Sequence, residues 1–208
     1  MKDLAYAFTI YFVTLGPLKT IPVFFLATHG ADRRTILGLA ARSTIMATLI
    51  VLFVDLVATG TMEKWRVSLD ALAIAGGIVL LLASVKALSG FNLAEPPVQA
   101  ASLPDTRWMG RPVLSPLAIP AIVTPAGIVV ILLFAGLALD DLAFRIQLLG
   151  LLLGIMAANF LAMLFAGPIM RLVGLPLLQI VGWVFSALQA GLAVQAILNS
   201  LRHYGAIP

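Results

Sequence analysis

Six apolar stretches alternate with polar intervals along the chain, from Leu4 to Thr28, Ile36 to Gly60, Leu69 to Gly90, Val113 to Leu139, Leu142 to Met170 and Leu175 to Leu201. A helix rising about 1.5 Å per residue needs roughly 20 apolar residues to cross a bilayer's hydrocarbon core, so each stretch predicts one transmembrane span. Charge and helix breakers mark the intervals at His29 to Arg34, Thr61 to Arg66, Phe91 to Arg111, Asp140 with Asp141, and Arg171 to Pro176. Only the third interval is long. Its Pro96, Pro97 and Pro104 stand among Glu95, Asp105, Arg107 and Arg111, which reads as a solvated linker. The pattern predicts an all-α polytopic membrane protein of six helices, with three in 1–90, a cytoplasmic linker at 91–111 and three in 112–208.

Prolines interrupt this pattern at two matching places. Pro17 and Pro22 lie inside the first stretch, and one shift along the chain carries both onto Pro120 and Pro125 in the fourth. The same comparison places Ile74 and Gly76 beside Ile180 and Gly182 at the openings of the third and sixth stretches. Proline inside a helix removes a donor and clashes with the preceding turn, so carbonyls are left without helical partners. Hydrocarbon cannot solvate them, and broken helices at corresponding positions of two halves mark the solute site of many transporters. Because each half carries an odd number of spans, homologous halves must point in opposite directions. The expectation is an inverted repeat with helices 1 and 4 broken.

Composition supports the membrane reading and limits the chemistry. Of 208 residues 62% are hydrophobic and 11% charged, and the mean hydropathy is +1.09, far from a soluble domain. The pI near 9.9 reflects basic loops rather than an affinity for nucleic acid. The absence of cysteine excludes disulfides, thiol relays and thiolate metal sites. The few residues before Leu4 are too short for the charged leader of a cleavable signal, so the first stretch is expected to be retained. Loop charge predicts orientation: Arg33, Arg34, Arg42, Lys86, Arg107, Arg111 and Arg171 lie on one side, seven against the five of Lys2, Lys64, Arg66, Arg145 and Arg202. Basic residues favour the cytoplasmic side, which places both termini outside.

The first break reads Gly16-Pro17-Leu18-Lys19-Thr20-Ile21-Pro22. Gly16 admits a close backbone, Thr20 offers a hydroxyl, and Lys19 brings an ammonium about halfway along a span, where a lone charge costs at least about 2.5 kcal/mol. Either the ammonium is buried with a partner or it snorkels to a headgroup. The expected partner is Asp55. Thr44, Thr48, Asp55 and Thr59 fall within an arc of about 60° on the second helix, a polar stripe predicted to face the bundle interior. As the one acidic residue placed inside a span, Asp55, with Thr48 beside it, is the candidate for coupling or counter-charge. Alternatively, the threonines bond back to their own helix. The second break, Pro120 to Gly127, is uncharged. Its Thr124 and the backbone near Pro120 and Pro125 suit a neutral or zwitterionic solute. Gly182, Ser186 and Gln189 share a face of the sixth helix, and, like Gly150 with Gly154, fit helix packing better than solute contact.

No Ser, His and acid constellation shares an apolar face, and His29 and His203 sit at loop ends, so no enzyme, metal or cofactor is expected. The expected partners are the bilayer and a small solute moved with a proton or sodium ion. The rival from another class is a non-transporting membrane scaffold, which a dry, filled midplane would favour.

The six-span order, Pro17-Leu18-Lys19-Thr20-Ile21-Pro22, Ile74-Ala75-Gly76-Gly77, the Pro120 to Pro125 break and Ile169-Met170-Arg171-Leu172-Val173-Gly174 together resemble the MarC family of bacterial inner-membrane proteins over nearly the whole chain. The resemblance implies a multi-pass protein of the inner (plasma) membrane, with small neutral amino acids as the solutes attributed to some relatives. This chain departs from the family pattern at both breaks. Gly16 and Lys19 replace the usual Asn and the small or amide residues, and Thr124-Pro125-Ala126 replaces Gly-Pro-Gly.

Overall fold

The computed structural model describes residues 3–89 and 122–205, apart from the side chains of 59, 61–63 and 175. The predicted linker at 91–111 and Pro120 lie outside the described residues. Regular structure among the described residues is entirely helical: α1 (Leu4–Leu15), α2 (Thr20–Ala27), α3 (Arg33–Trp65), α4 (Leu69–Ser89), α5 (Pro125–Leu137), α6 (Leu142–Leu164) and α7 (Ala166–His203). Five elements are long and apolar enough to span a membrane: Leu4–Ala27 (α1 with α2), Arg33–Ala58, Leu69–Ser89, Leu142–Leu164 and Pro176–His203. α5 is a shorter apolar helix.

Polar side chains set several helix starts, as aspartate and threonine do wherever a first turn leaves its amides unpaired. Asp3 caps α1, Asp141 caps α6, and Thr124 caps α5 with Pro125 in its first turn. Asp32 caps α3 by accepting from Thr35, and the Thr35 hydroxyl bond holds this exposed carboxyl below its usual range.

The fifth and sixth apolar stretches divide differently from the expectation. α6 already stops at Leu164, and a helical piece from Ala166 runs to a kink at Gly174, whose φ of 72° belongs to the left-handed region. Glycine takes that conformation without the Cβ penalty, and Pro176 then begins the final span. Arg171 therefore lies within a helical segment rather than in a turn.

Contacts fix the relative helix directions. At one end of α1, Thr14 and Leu15 meet Thr124 and Gly127, while Tyr6 and Tyr11 meet the Phe134 ring, so α1 and α5 are antiparallel. α1 runs parallel to α6, with Leu4, Phe8 and Phe12 facing residues between Gln147 and Ala158 and Leu15 bonding Asn159. α4 and α7 are antiparallel: Ser68 bonds Tyr204 (2.8 Å), Asp70 bonds His203 (2.7 Å), and the Leu80 carbonyl accepts from Gln189 (3.4 Å). The first span is the interior one, with 56% of its apolar window buried against 17% for the last. The outer face of α3 presents Ile45, Leu49, Phe53 and Leu56 toward lipid.

Glycines bring α4 against its neighbours. A Cβ on Gly76 would meet Val129 of α5 at 2.7 Å, and one on Gly77 would meet the Ala193 carbonyl of α7 at 2.8 Å and Ile197 at 2.5 Å. Backbone cannot yield as a side chain can, so Gly77→Ala is expected to destabilise the fold by about 1–3 kcal/mol through overpacking. Reversible unfolding in mixed micelles checks this, with Gly38→Ala, whose added Cβ meets nothing within 4 Å, as the control. Gly150 and Gly154 differ from the expectation: a Cβ on either also meets nothing within 4 Å. They line an apolar outer groove of about 570 Å³ between α6 and α1 rather than gluing helices within the chain.

Candidate functional site

The break in the first span starts at Gly16. The residue takes an extended conformation (φ −73°, ψ 167°), and a Cβ there would come within 1.9 Å of the Phe12 carbonyl oxygen, so only glycine turns the chain at this point. Pro17 follows with no N–H to offer. The helix resumes at Thr20, where the Pro17 carbonyl accepts from the Thr20 and Ile21 amides at 3.0 and 3.2 Å. Pro22, expected to disrupt the helix, falls instead in the first turn of α2. Amides in that turn lack intrahelical acceptors, so a missing N–H there costs little. Pro125 is accommodated in the same way at the start of α5.

The freed carbonyls find partners across the two halves of the sequence. The Asn159 amide of α6 donates to the Leu15 carbonyl at 2.7 Å and to the Ile155 carbonyl at 3.0 Å. Its Oδ1 stands 3.0 Å from the Thr20 hydroxyl, which also lies 2.8 Å from the Pro17 carbonyl. The Thr124 hydroxyl donates to the Thr14 carbonyl at 3.2 Å and accepts from the Gly127 amide at 3.0 Å. Gly127 gives room to Leu15, whose side chain stands where a Cβ would be only 2.3 Å away. Gly16, Pro17, Thr20, Thr124 and Pro125 are thus gathered into one knot.

Lys19 is not paired with Asp55. Its ammonium donates to Gln189 Oε1 at 3.3 Å, while Asp55 accepts from Arg145 Nη2 at 3.2 Å. The reason is vertical separation. Asp55 lies near the end of α3 that meets the first turn of α6, whereas Gln189 stands close to the midpoint of the last span. Thr48, the other half of the coupling candidate, bonds back to the Thr44 carbonyl at 2.8 Å, so its hydroxyl is spent within its own helix. Thr44 differs: its hydroxyl and that of the fully buried Ser43 have no hydrogen-bond partner among the described residues. From Asp55 back to Thr44 and from Arg145 on to Asn159, the antiparallel helices advance about 17 and 21 Å, which sets Ser43, Thr44 and Asn159 at similar depth.

The arrangement can hold backbone carbonyls, hydroxyls, the amides of Asn159 and Gln189 and one ammonium within an apolar bundle. A scan against family models then decides the family: the model described as "MarC family integral membrane protein" matches residues 1–204. The chain belongs to the MarC family. Among its curated relatives, a UPF0056 membrane protein of Methanocaldococcus jannaschii is 28% identical over 203 residues, covering 96% of this chain and 98% of that protein. A UPF0056 membrane protein of Archaeoglobus fulgidus is also 28% identical, covering 94% of this chain and 90% of its own length. No solved structure matches the chain.

Three residues of this MarC protein's site escaped sequence reading. Asn159 is an amide deep inside an apolar stretch, a signal in itself, since a buried amide in lipid demands partners. Arg145, which loop charge places on the outer side, lies inside the first turn of α6. By sequence Gln189 fits helix packing. It does bond the Leu80 carbonyl, but it also receives Lys19.

Proposed function

We propose that this MarC-family protein transports a small solute by alternating access, at a midplane site between the broken first and fourth spans. In this reading six spans form two inverted three-helix halves, 1–90 and 112–208, joined by 91–111 on the cytoplasmic side of the plasma membrane, with both termini outside. The observation that carries it is the meeting of the first break with the start of α5, through Thr124 on the Thr14 carbonyl and Leu15 on Gly127. Irregular backbone at membrane depth is expected where a solute is handled, and the antiparallel course of α1 and α5 is what inverted halves require. The protein acts without catalysis. Small neutral amino acids are the first solutes to test, with a proton or sodium ion as the coupling species and Asp55 as the coupling or counter-charge residue.

The test is uptake and efflux of labelled amino acids and small organic anions in proteoliposomes, with and without proton and sodium gradients. Flux above protein-free vesicles that saturates with solute is expected. Flux equal to those vesicles for the whole panel overturns the reading. A second reading, a membrane scaffold without transport, draws on the tight seating of Leu15 against Gly127, which leaves the first break and the start of α5 in contact rather than facing across a hollow. Under that reading no solute panel produces flux in either direction.

A further inference from the structure

We infer that Lys19 is an anion-binding residue whose ammonium receives the carboxylate of a small singly charged solute. The inference rests on the reading of the break as the solute site.

Depth excludes the snorkelling alternative. The Lys19 ammonium reaches Gln189, which lies near the centre of the span Pro176–His203 and therefore about 20 Å along the helix from either end. A lysine seeking headgroups points toward a boundary. This one points to the middle.

Charge is uncompensated there. Among the described residues no carboxylate lies within ion-pair distance of Lys19, and Asp55 is taken by Arg145. Of the ammonium's three donors Gln189 accepts one. A neutral amide oxygen does not balance a full charge in hydrocarbon, where a lone lysine costs at least about 2.5 kcal/mol. Lys19 is also the residue just before the first turn of α2. The positive end of that helix's dipole adds to its charge rather than offsetting it. A cation placed against a like dipole end at mid-depth raises the local potential in favour of an anion.

The surroundings are prepared for that charge. Gln189 is 3% exposed, and its amide donates to the Leu80 carbonyl at 3.4 Å, which turns Oε1 toward Lys19. An arriving carboxylate would replace or join that oxygen, forming an ion pair with two oxygens in place of one neutral acceptor. A single ammonium balances a single negative charge.

The experiment uses the purified full chain in detergent and compares propionate with propionamide, which share size and shape but not charge. Binding is read by calorimetry, and uptake of both probes is measured separately in proteoliposomes. The wild-type protein is expected to bind propionate at least tenfold more tightly than propionamide. In Lys19→Met that preference should vanish, while Lys19→Arg should keep part of it. Equal affinity for the two probes in the wild type, or an undiminished preference in Lys19→Met, overturns the inference. The wild-type comparison decides the matter even where Lys19→Met does not fold. Flux of uncharged solutes with no preference for propionate removes the anion site and leaves the transport reading standing. A Lys19-dependent preference without flux of any solute keeps the anion site and removes transport.

Discussion

Asn159→Leu is expected to destabilise the protein by about 2–4 kcal/mol. The substitution removes the donor to the Leu15 carbonyl and the acceptor facing Thr20. Hydrogen bonds between membrane helices contribute only about 0.6 kcal/mol on average and up to about 1.7, but a buried carbonyl left dry adds a desolvation cost of about 1–3 kcal/mol. Among the described residues Leu15 has no alternative, since Gly16 and Pro17 have carried the chain out of the helix and Asn159 is 0% exposed to any replacement water. Gln195 and Asn199 supply the control. They bond each other at 2.8 Å on an exposed face, so Asn199→Leu should cost under about 1 kcal/mol. Unfolding in mixed detergent micelles measures both. Equal losses for the two variants would mean that the amide is not what closes the break.

Breaking the Asp55–Arg145 pair should produce a coupled loss. Asp55→Ala or Arg145→Ala alone leaves one charge buried, with Asp55 the more enclosed partner at 12% side-chain exposure against 27% for Arg145. Removing one partner of a fully buried pair costs about 3–5 kcal/mol, and the partial exposure here brings the expectation to about 2–3. The double variant should lose well under the sum of the two single losses, because neither charge then remains stranded. The Lys19 and Asp55 cycle should by contrast be additive, since these residues have separate partners. Coupling between Lys19 and Asp55 with none between Arg145 and Asp55 would reverse the assignment. The bridge also ties α3 of the first half to α6 of the second, so in the transport reading it must part or move with its helices when access alternates.

The two expectations meet in one physical picture. Where the first span breaks, two carbonyls lose their helical amides, and the other half of the chain supplies a hydroxyl from Thr124 and an amide from Asn159. Each bond crosses more than a hundred residues of sequence. Ser43 and Thr44, at similar depth, keep hydroxyls without partners among the described residues, so the described helices leave part of this polar layer unpaired. Unsatisfied groups in a low-dielectric interior are costly and favour an added polar occupant.

What sequence alone determined was local in its physics. Apolar run length marked the spans, because only a helix of about 20 residues satisfies its backbone across hydrocarbon; the motifs at both breaks identified the family that the family model matches. Gly16 and Pro17 located the first break, since one forbids a side chain and the other lacks an amide. Which polar groups meet was decided only in three dimensions. Pro22 and Pro125 became harmless once helix starts were placed beneath them, and Asp55 went to Arg145 rather than Lys19 because depth and helix direction, not residue type, select partners. Periodicity assigns a residue to a face of its own helix; the register of one helix against another follows from packing such as Leu15 on Gly127 and Gly77 on Ala193, and that register chose the contacts.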